Sequence, residues 1–207
     1  SKREKYEFYL RQKLGMAVSL FGAQDCIYAI PRTLYRPVRA DLDSGFVGPL
    51  LLLEQGYRTV YEPDALALVD RQAPSLKDEF LRRSRIALRG MRSLIYMRTL
   101  MNPFKHGLVA LSLISTRLLR WLTPIFLILL LVSNLFLLAS LFYRFVFASQ
   151  LIFYITALIA FFIARKQWRL IFPFYVPLYF CVMASSALVG LLRLTAGETG
   201  QTWATRR

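Results

Sequence analysis

Three long apolar stretches in the second half of the chain constrain its fold more than any other feature. A helix needs about 20 mostly apolar residues to cross the hydrocarbon core of a bilayer. The stretches 122–143, 145–164 and 170–192 each have or approach that length. We therefore predict a region of three transmembrane helices over residues 122–192. The alternative is a set of buried core helices in a soluble protein.

The charged residues are distributed unevenly along the chain. It carries 27 Lys and Arg against 12 Asp and Glu, a net charge of +15. Residues 1–79 hold 11 basic and 11 acidic side chains, whereas the remainder holds 16 basic ones and a single acid, Glu198. Because this basic excess flanks the apolar stretches, it indicates membrane lipids or phosphate-bearing ligands as partners and argues against nucleic acid.

The positions of Lys and Arg also predict the topology, since these residues concentrate on the cytoplasmic side of a membrane. The segment before the first apolar stretch is basic, as is the loop 165–169, whereas the first connection holds only Arg144. We expect a multi-pass membrane protein whose amino-terminal region and 165–169 loop are cytoplasmic. The tail, residues 193–207, then lies outside.

The first 74 residues predict an α/β fragment. Residues 26–30, 58–62 and 65–69 are short strand candidates bounded by turn residues. Residues 46–55 predict a helix that ends at Gly56. The segment is shorter than a usual catalytic α/β domain, so we expect the edge of a sheet whose other part precedes this chain.

A predicted amphipathic helix over residues 77–98 joins the two halves. Four arginines at steps of three, four and three lie along one stripe of it: Arg82, Arg85, Arg89 and Arg92. Such a stripe is typical of a helix that lies in the membrane interface. Alternatively, the guanidinium groups bind a phosphate or pyrophosphate, which they match bidentately. A second amphipathic stretch, residues 105–118, leads to Trp121, so we assign residues 75–121 to amphipathic interface helices.

Several short motifs follow one another in a definite order along the chain. They are Gly22-Ala23, 27–30 (IYAI), 34–37 (LYRP), 56–63 (GYRTVYEP), 79–90 (EFLRRSRIALRG), Asn102-Pro103, 118–121 (LLRW) and Trp203, Thr205 and Arg206. In this order they resemble motifs of membrane-bound family 2 glycosyltransferases, so the chain resembles the carboxyl-terminal part of polysaccharide synthases of the cellulose and hyaluronan synthase type.

The resemblance implies a GT-A-type catalytic domain, of which residues 1–74 are the acceptor side, on the cytoplasmic face of a bacterial inner membrane. It implies polysaccharide biosynthesis, in which a sugar passes from a nucleotide-sugar donor to a growing glycan acceptor. It also implies a divalent metal, Mg or Mn, whose ligands are not in this chain. A donor-binding amino-terminal half, or a partner subunit that replaces it, is expected to be missing.

The resemblance also assigns site residues. The Q-x-x-R-W motif of the family falls on residues 82–86 (RRSRI), so Arg82, Arg85 and Arg89 are implied to bind the substrate through the donor diphosphate and the acceptor end. Thr116 stands where the family has a His. The triplet Asp41-Leu42-Asp43 spells the metal-binding D-x-D pattern, but we interpret its acids as solvated loop residues, because that motif belongs to the donor-binding half.

Position 45 departs from the pattern of the family. In relatives an Asp-Ser-Asp-Phe segment carries the general base, whereas residues 43–46 read Asp-Ser-Gly-Phe here. Gly45 thus replaces the carboxylate that takes the proton of the acceptor hydroxyl, and Asp43 is the candidate substitute. We expect the chain alone to be inactive as a transferase. The alternative function is a non-catalytic membrane scaffold or a degenerate relative in a glycan-export complex.

Overall fold

The computed structural model of the protein describes residues 27–60, 62, 65, 75–165 and 172–198. Helix makes up 76% of this part of the chain. The helical elements are α1 (Ser44–Glu54), α2 (Leu76–Tyr96), a 3-10 turn (Arg98–Met101), α3 (Pro103–His106), α4 (Leu108–Leu113), a π turn (Ile114–Leu118), α5 (Leu119–Phe136), α6 (Leu141–Arg165) and α7 (Phe172–Thr195).

The predicted α/β fragment is wrong, because the described residues contain no strand and no sheet. The described residues of the predicted strands 26–30 and 58–62, namely 27–30, 58–60 and 62, have no regular secondary structure, and Ile27 and Val60 are exposed. The rest of the third strand candidate, 66–69, lies outside the described residues. A strand needs a neighbour to pair its backbone N–H and C=O groups, and these short segments have no strand beside them within the described part of the chain.

Helix α1 confirms the helix predicted over residues 46–55. It begins after Asp43, whose backbone is extended. It ends before Gly56, whose φ of +85° is a conformation that glycine adopts without steric cost. The amide of Tyr57 donates to the carbonyl of Leu52 at 2.9 Å and closes the last turn.

Helix α2 confirms the helix predicted over residues 77–98. The Ser75 hydroxyl accepts a hydrogen bond from the amide of Asp78 at 3.1 Å and caps the helix. Asp78 and Glu79 place acidic side chains in the first turn, where the helix dipole favours negative charge.

The described residues form two compact units, and α2 contributes to both. The first unit contains residues 27–60 and Arg89–Leu118, and the second contains residues 75–88 and the described residues of 119–197. The core of the first unit is apolar and consists of Leu42, Phe46, Val47, Leu50, Met91, Leu94, Met97, Leu100, Ala110 and Leu113.

Three helices are long and apolar enough to cross a membrane, which confirms the predicted transmembrane region. They are Leu108–Phe136, Leu141–Arg165 and Pro173–Thr195. The break between the first two helices lies at residues 137–140. Tyr143, predicted as the end of the first span, and Arg144, predicted as the connection, therefore both belong to α6. Buried Ala157 and Ala160 on α6 allow close packing of neighbouring helices.

Candidate functional site

The first unit brings the acidic segment before α1 into contact with the second half of α2. Arg92 donates from Nη1 to Oδ2 of Asp41 at 3.0 Å. Arg39 binds both carboxylate oxygens of the same residue, at 3.0 and 2.9 Å. Asp41 is only 4% exposed, so its interpretation as a solvated loop acid is wrong. Its carboxylate is instead bound by two guanidinium groups.

The environment of Asp41 favours its charged form. Burial by itself raises the pKa of this carboxyl group. The hydrogen bonds from Arg39, from the backbone and from Arg92, together with the charge of Arg39, outweigh burial and hold the pKa below its ordinary value of 3.8. Asp41 is therefore a carboxylate at neutral pH. It acts as an ion-pair partner and not as a proton acceptor.

The backbone beside Asp41 is also bound by α2. The guanidinium of Arg89 donates from Nη2 to the carbonyl oxygen of Leu42. The amide of Asp43 donates to the Ser93 hydroxyl at 2.8 Å, and that hydroxyl donates to the carbonyl oxygen of Arg89 at 2.8 Å. Ser93 is fully buried. The segment 41–43 is thus fixed through its backbone as well as through the Asp41 side chain.

Position 45 lies two residues after Asp43, in the first turn of α1. Gly45 is buried, and the next residue, Phe46, packs into the core of the first unit. The guanidinium of Arg117 lies 4.9 Å from the centre of the Phe46 ring, a cation–π contact. Thr116, which the resemblance aligns with a His, donates to the carbonyl oxygen of Ser112 at 2.6 Å.

Two of the predicted substrate-binding arginines belong to the second unit. Arg82 binds both carboxylate oxygens of Glu79 at 3.0 Å. This hydrogen bond lowers the pKa of Glu79 and raises the pKa of Arg82. Arg85 donates from Nε to the carbonyl oxygen of Leu81, one turn earlier, at 3.4 Å. The third predicted arginine, Arg89, belongs to the first unit and binds the Leu42 carbonyl in the segment before α1.

Sequence reasoning missed the role of Arg83. Its Nε lies 2.6 Å from Oε1 of Glu79, and its guanidinium lies 5.0 Å from the ring centre of Tyr179 on α7 and donates to the Tyr179 hydroxyl. Tyr175 stacks on the same ring, with centroids 5.5 Å apart. The one signal in the sequence is that Arg83 lies off the stripe of the other four arginines, towards the apolar face of the helix.

The resemblance implies a divalent metal whose ligands lie outside this chain, and the described residues offer no other site for it. They contain no group of three or more His, Cys, Asp or Glu side chains that could hold an ion. Asp41, the more buried acid of the D-x-D pattern, already binds two guanidinium groups. The arginines of α2 instead bind carboxylates and a backbone carbonyl group of the protein itself.

Comparison with known protein families, curated proteins and solved structures finds no match to this chain.

Proposed function

We propose that the chain is the acceptor-side and membrane-embedded part of a glycosyltransferase of the family 2 type. Such an enzyme passes a sugar from a nucleotide-sugar donor to a growing glycan at the cytoplasmic face of a bacterial inner membrane. The donor-binding region is then supplied from outside the described residues, by the rest of the protein or by a partner subunit.

One observation carries the proposal: in the first unit, the segment around position 45 contacts α2 and Arg117, which are far from it in the sequence. Arg89 binds the Leu42 carbonyl, Ser93 binds the Asp43 amide, and Arg117 lies over Phe46. The resemblance aligns residues 43–46 with the segment that carries the general base, and it places Arg89 on the arginine helix. An active site of this type would need these two parts of the chain to lie together, so their proximity supports the proposal.

The contacts also explain how position 45 would be held in an active relative. Asp43 is held by the hydrogen bond from its amide to Ser93. Phe46, the residue after Gly45, lies in the core and contacts Arg117. A carboxylate at position 45 would therefore start from a backbone that is held on both sides. Such preorganisation is needed because a general base must lie within hydrogen-bond reach of the proton that it removes.

The test is to restore the carboxylate by Gly45→Asp in the complete gene product. Membranes that contain the protein are incubated with radiolabelled nucleotide sugars, and the label in polymer is counted. Gly48→Asp is the matched control, because it places the same acid one turn further along α1. Label incorporation with G45D, and none with G48D, supports the proposal.

The second candidate function is a non-catalytic membrane scaffold, which the presence of Gly45 itself favours. A scaffold predicts that G45D stays inactive with every nucleotide sugar although the variant folds as well as the unsubstituted protein. That result contradicts the enzyme proposal. Thermal unfolding of the same preparations separates it from a failure of the variant to fold.

A further inference from the structure

Helices α3 and α4 carry an apolar surface that the first unit leaves uncovered. Phe104, Leu108 and Leu111, which we call the apolar wedge, are 100%, 66% and 60% exposed. They lie within eight residues of sequence, on either side of Gly107, where the backbone turns with a φ of +50°.

The wedge is not the ordinary outer side of an amphipathic helix. On α4, Ala110 and Leu113 face inward and are completely buried, which already provides the apolar side that packs on the first unit. Leu108 and Leu111 lie one turn apart on the opposite side. A helix in contact with water carries polar residues there, so the composition of α4 indicates a second apolar environment.

The wedge is continuous with a candidate membrane span. The apolar helix Leu108–Phe136 has 29 residues, which at 1.5 Å per residue is about 43 Å. The hydrocarbon core is about 30 Å thick. The π turn Ile114–Leu118 interrupts the regular helix between its two parts, and Ser115 and Thr116 both donate to the carbonyl of Ser112 there. The length and the interruption indicate that the part before Leu119 lies outside the hydrocarbon.

The charge around the wedge favours an anionic surface. Arg98 and Lys105 are both exposed on the same stretch of chain. No acidic residue occurs between Glu79 and Glu198 in the sequence. Apolar side chains beside exposed basic ones are the combination that binds anionic phospholipid headgroups and the upper acyl chains beneath them.

We propose that the apolar wedge inserts into the headgroup–acyl boundary of an anionic leaflet, and that residues 103–118 lie in the interface while the span begins near Leu119. This places the lipid contact on α3 and α4, whereas Arg89 and Arg92 of α2 bind protein groups. The proposal does not depend on sugar transfer, and it applies equally to a scaffold.

The test measures depth with the full chain in nanodiscs. Phe104→Trp introduces a fluorophore, and lipids brominated at a shallow or a deep acyl position quench it in discs of phosphatidylcholine alone or mixed with phosphatidylglycerol. The signal of the native tryptophans is subtracted with the unsubstituted protein. Tyr57→Trp is the matched control, because Tyr57 is a half-exposed aromatic residue of the same unit outside the wedge. If F104W does not fold, Leu111→Trp replaces it.

Insertion of about 5–10 Å predicts that the shallow lipid quenches the F104W fluorophore more strongly than the deep one. The loss of tryptophan fluorescence is expected to be larger in discs that contain phosphatidylglycerol. No such loss is expected for Y57W. Stronger quenching by the deep lipid would overturn the proposal in favour of a span that starts at Leu108. If neither the lipid quenchers nor aqueous iodide quench the F104W fluorophore, the proposal is overturned in favour of contact with a second protein surface. If iodide alone quenches it, the proposal is overturned in favour of a water-exposed site.

Discussion

The guanidinium of Arg92 lies 3.0 Å from the carboxylate of Asp41, although 51 residues separate them in the sequence. This ion pair connects α2 to the segment before α1 inside the first unit. The Arg92 side chain is 17% exposed, whereas that of Arg39, which binds the same carboxylate, is 67% exposed. The two arginines share one partner but differ in solvation, so they allow a matched comparison.

We expect Arg92→Gln to destabilise the first unit by about 3 kcal/mol, the magnitude seen when one partner of a buried ion pair is removed. Arg39→Gln should cost less than about 1 kcal/mol, because water screens an exposed pair. Denaturant-induced unfolding of the full chain in micelles, followed through a fluorophore attached to the first unit, measures both. Equal losses for R92Q and R39Q would contradict the burial argument.

The lowered pKa of Asp41 predicts a pH dependence with a definite sign. A group whose folded-state pKa is depressed contributes stability above its unfolded pKa, and that contribution is lost as the pH falls through the folded value. The first unit should therefore lose stability below pH of about 4, near the ordinary value of 3.8. Asp41→Asn should remove this part of the pH dependence. Identical pH profiles of D41N and the unsubstituted protein would refute the assignment.

Gly190 allows α7 to approach the first half of α2 closely. A Cβ at Gly190 would lie 2.8 Å from Cβ of Ala87 and 3.1 Å from both the Leu88 amide nitrogen and the Ser84 carbonyl oxygen. Two of these neighbours are backbone atoms that cannot rotate away. Gly190→Ala should therefore destabilise the second unit by roughly 1–3 kcal/mol, the usual cost of overpacking.

The control for this prediction is Gly48→Ala, since Gly48 is also helical but has no atom within 4 Å of an added Cβ. G48A should be neutral or stabilising by up to about 1 kcal/mol, because alanine favours helix. Adding Ala87→Gly to G190A should recover only part of the loss, since the two backbone contacts remain. SDS-induced unfolding in mixed micelles compares these variants, and full recovery would show that the Ala87 methyl group alone sets the cost.

The two arginines that share Glu79 should differ in the same assay. The Arg83 side chain is 20% exposed and contacts the Tyr179 ring, whereas Arg82 is 46% exposed and has Glu79 as its described ion-pair partner. Arg83→Gln should cost about 1–2 kcal/mol, since a partly desolvated cation–π contact is lost, and Arg82→Gln less than about 1 kcal/mol. A larger loss with R82Q than with R83Q would contradict the ranking.

How far the sequence predicts this fold depends on whether a pattern is local. Helix α1 and its end at Gly56 follow from residues within one segment, as do α2 and the three apolar spans, and these predictions were confirmed. The strands predicted at 26–30 and 58–62 were wrong where the structure describes them, because a strand exists only with a pairing partner that local composition does not reveal.

The candidate site was predictable only in part for the same reason. The stripe Arg82, Arg85, Arg89 and Arg92 is a helical periodicity, so the sequence identifies it. That periodicity does not predict that Arg82 binds Glu79, three residues away, whereas Arg92 binds Asp41, 51 residues away. The short distance between Gly190 and Ala87 is likewise a tertiary fact that no local pattern encodes.

Asn134 and Gln150 form a polar contact between two transmembrane helices. Nδ2 of Asn134, a buried residue, donates to Oε1 of Gln150 at 3.2 Å, and Gln150 donates onward to the Tyr154 hydroxyl at 3.4 Å. An amide in this environment needs a partner, because the surrounding apolar side chains and lipid cannot replace water as hydrogen-bonding groups. The pair should therefore contribute to the packing of α5 on α6.

A double-mutant cycle measures this contribution. Asn134→Leu or Gln150→Leu alone should each destabilise the chain by about 1 kcal/mol, since the remaining amide loses its partner, with a coupling energy of about 0.6 kcal/mol between them. The double variant should cost less than the sum of the single ones, because replacing both partners by apolar groups removes the unpaired amide. Tyr154→Phe is the control and should have a smaller effect, given its longer hydrogen bond. Strict additivity of N134L and Q150L in SDS-induced unfolding would show that the two amides do not stabilise each other.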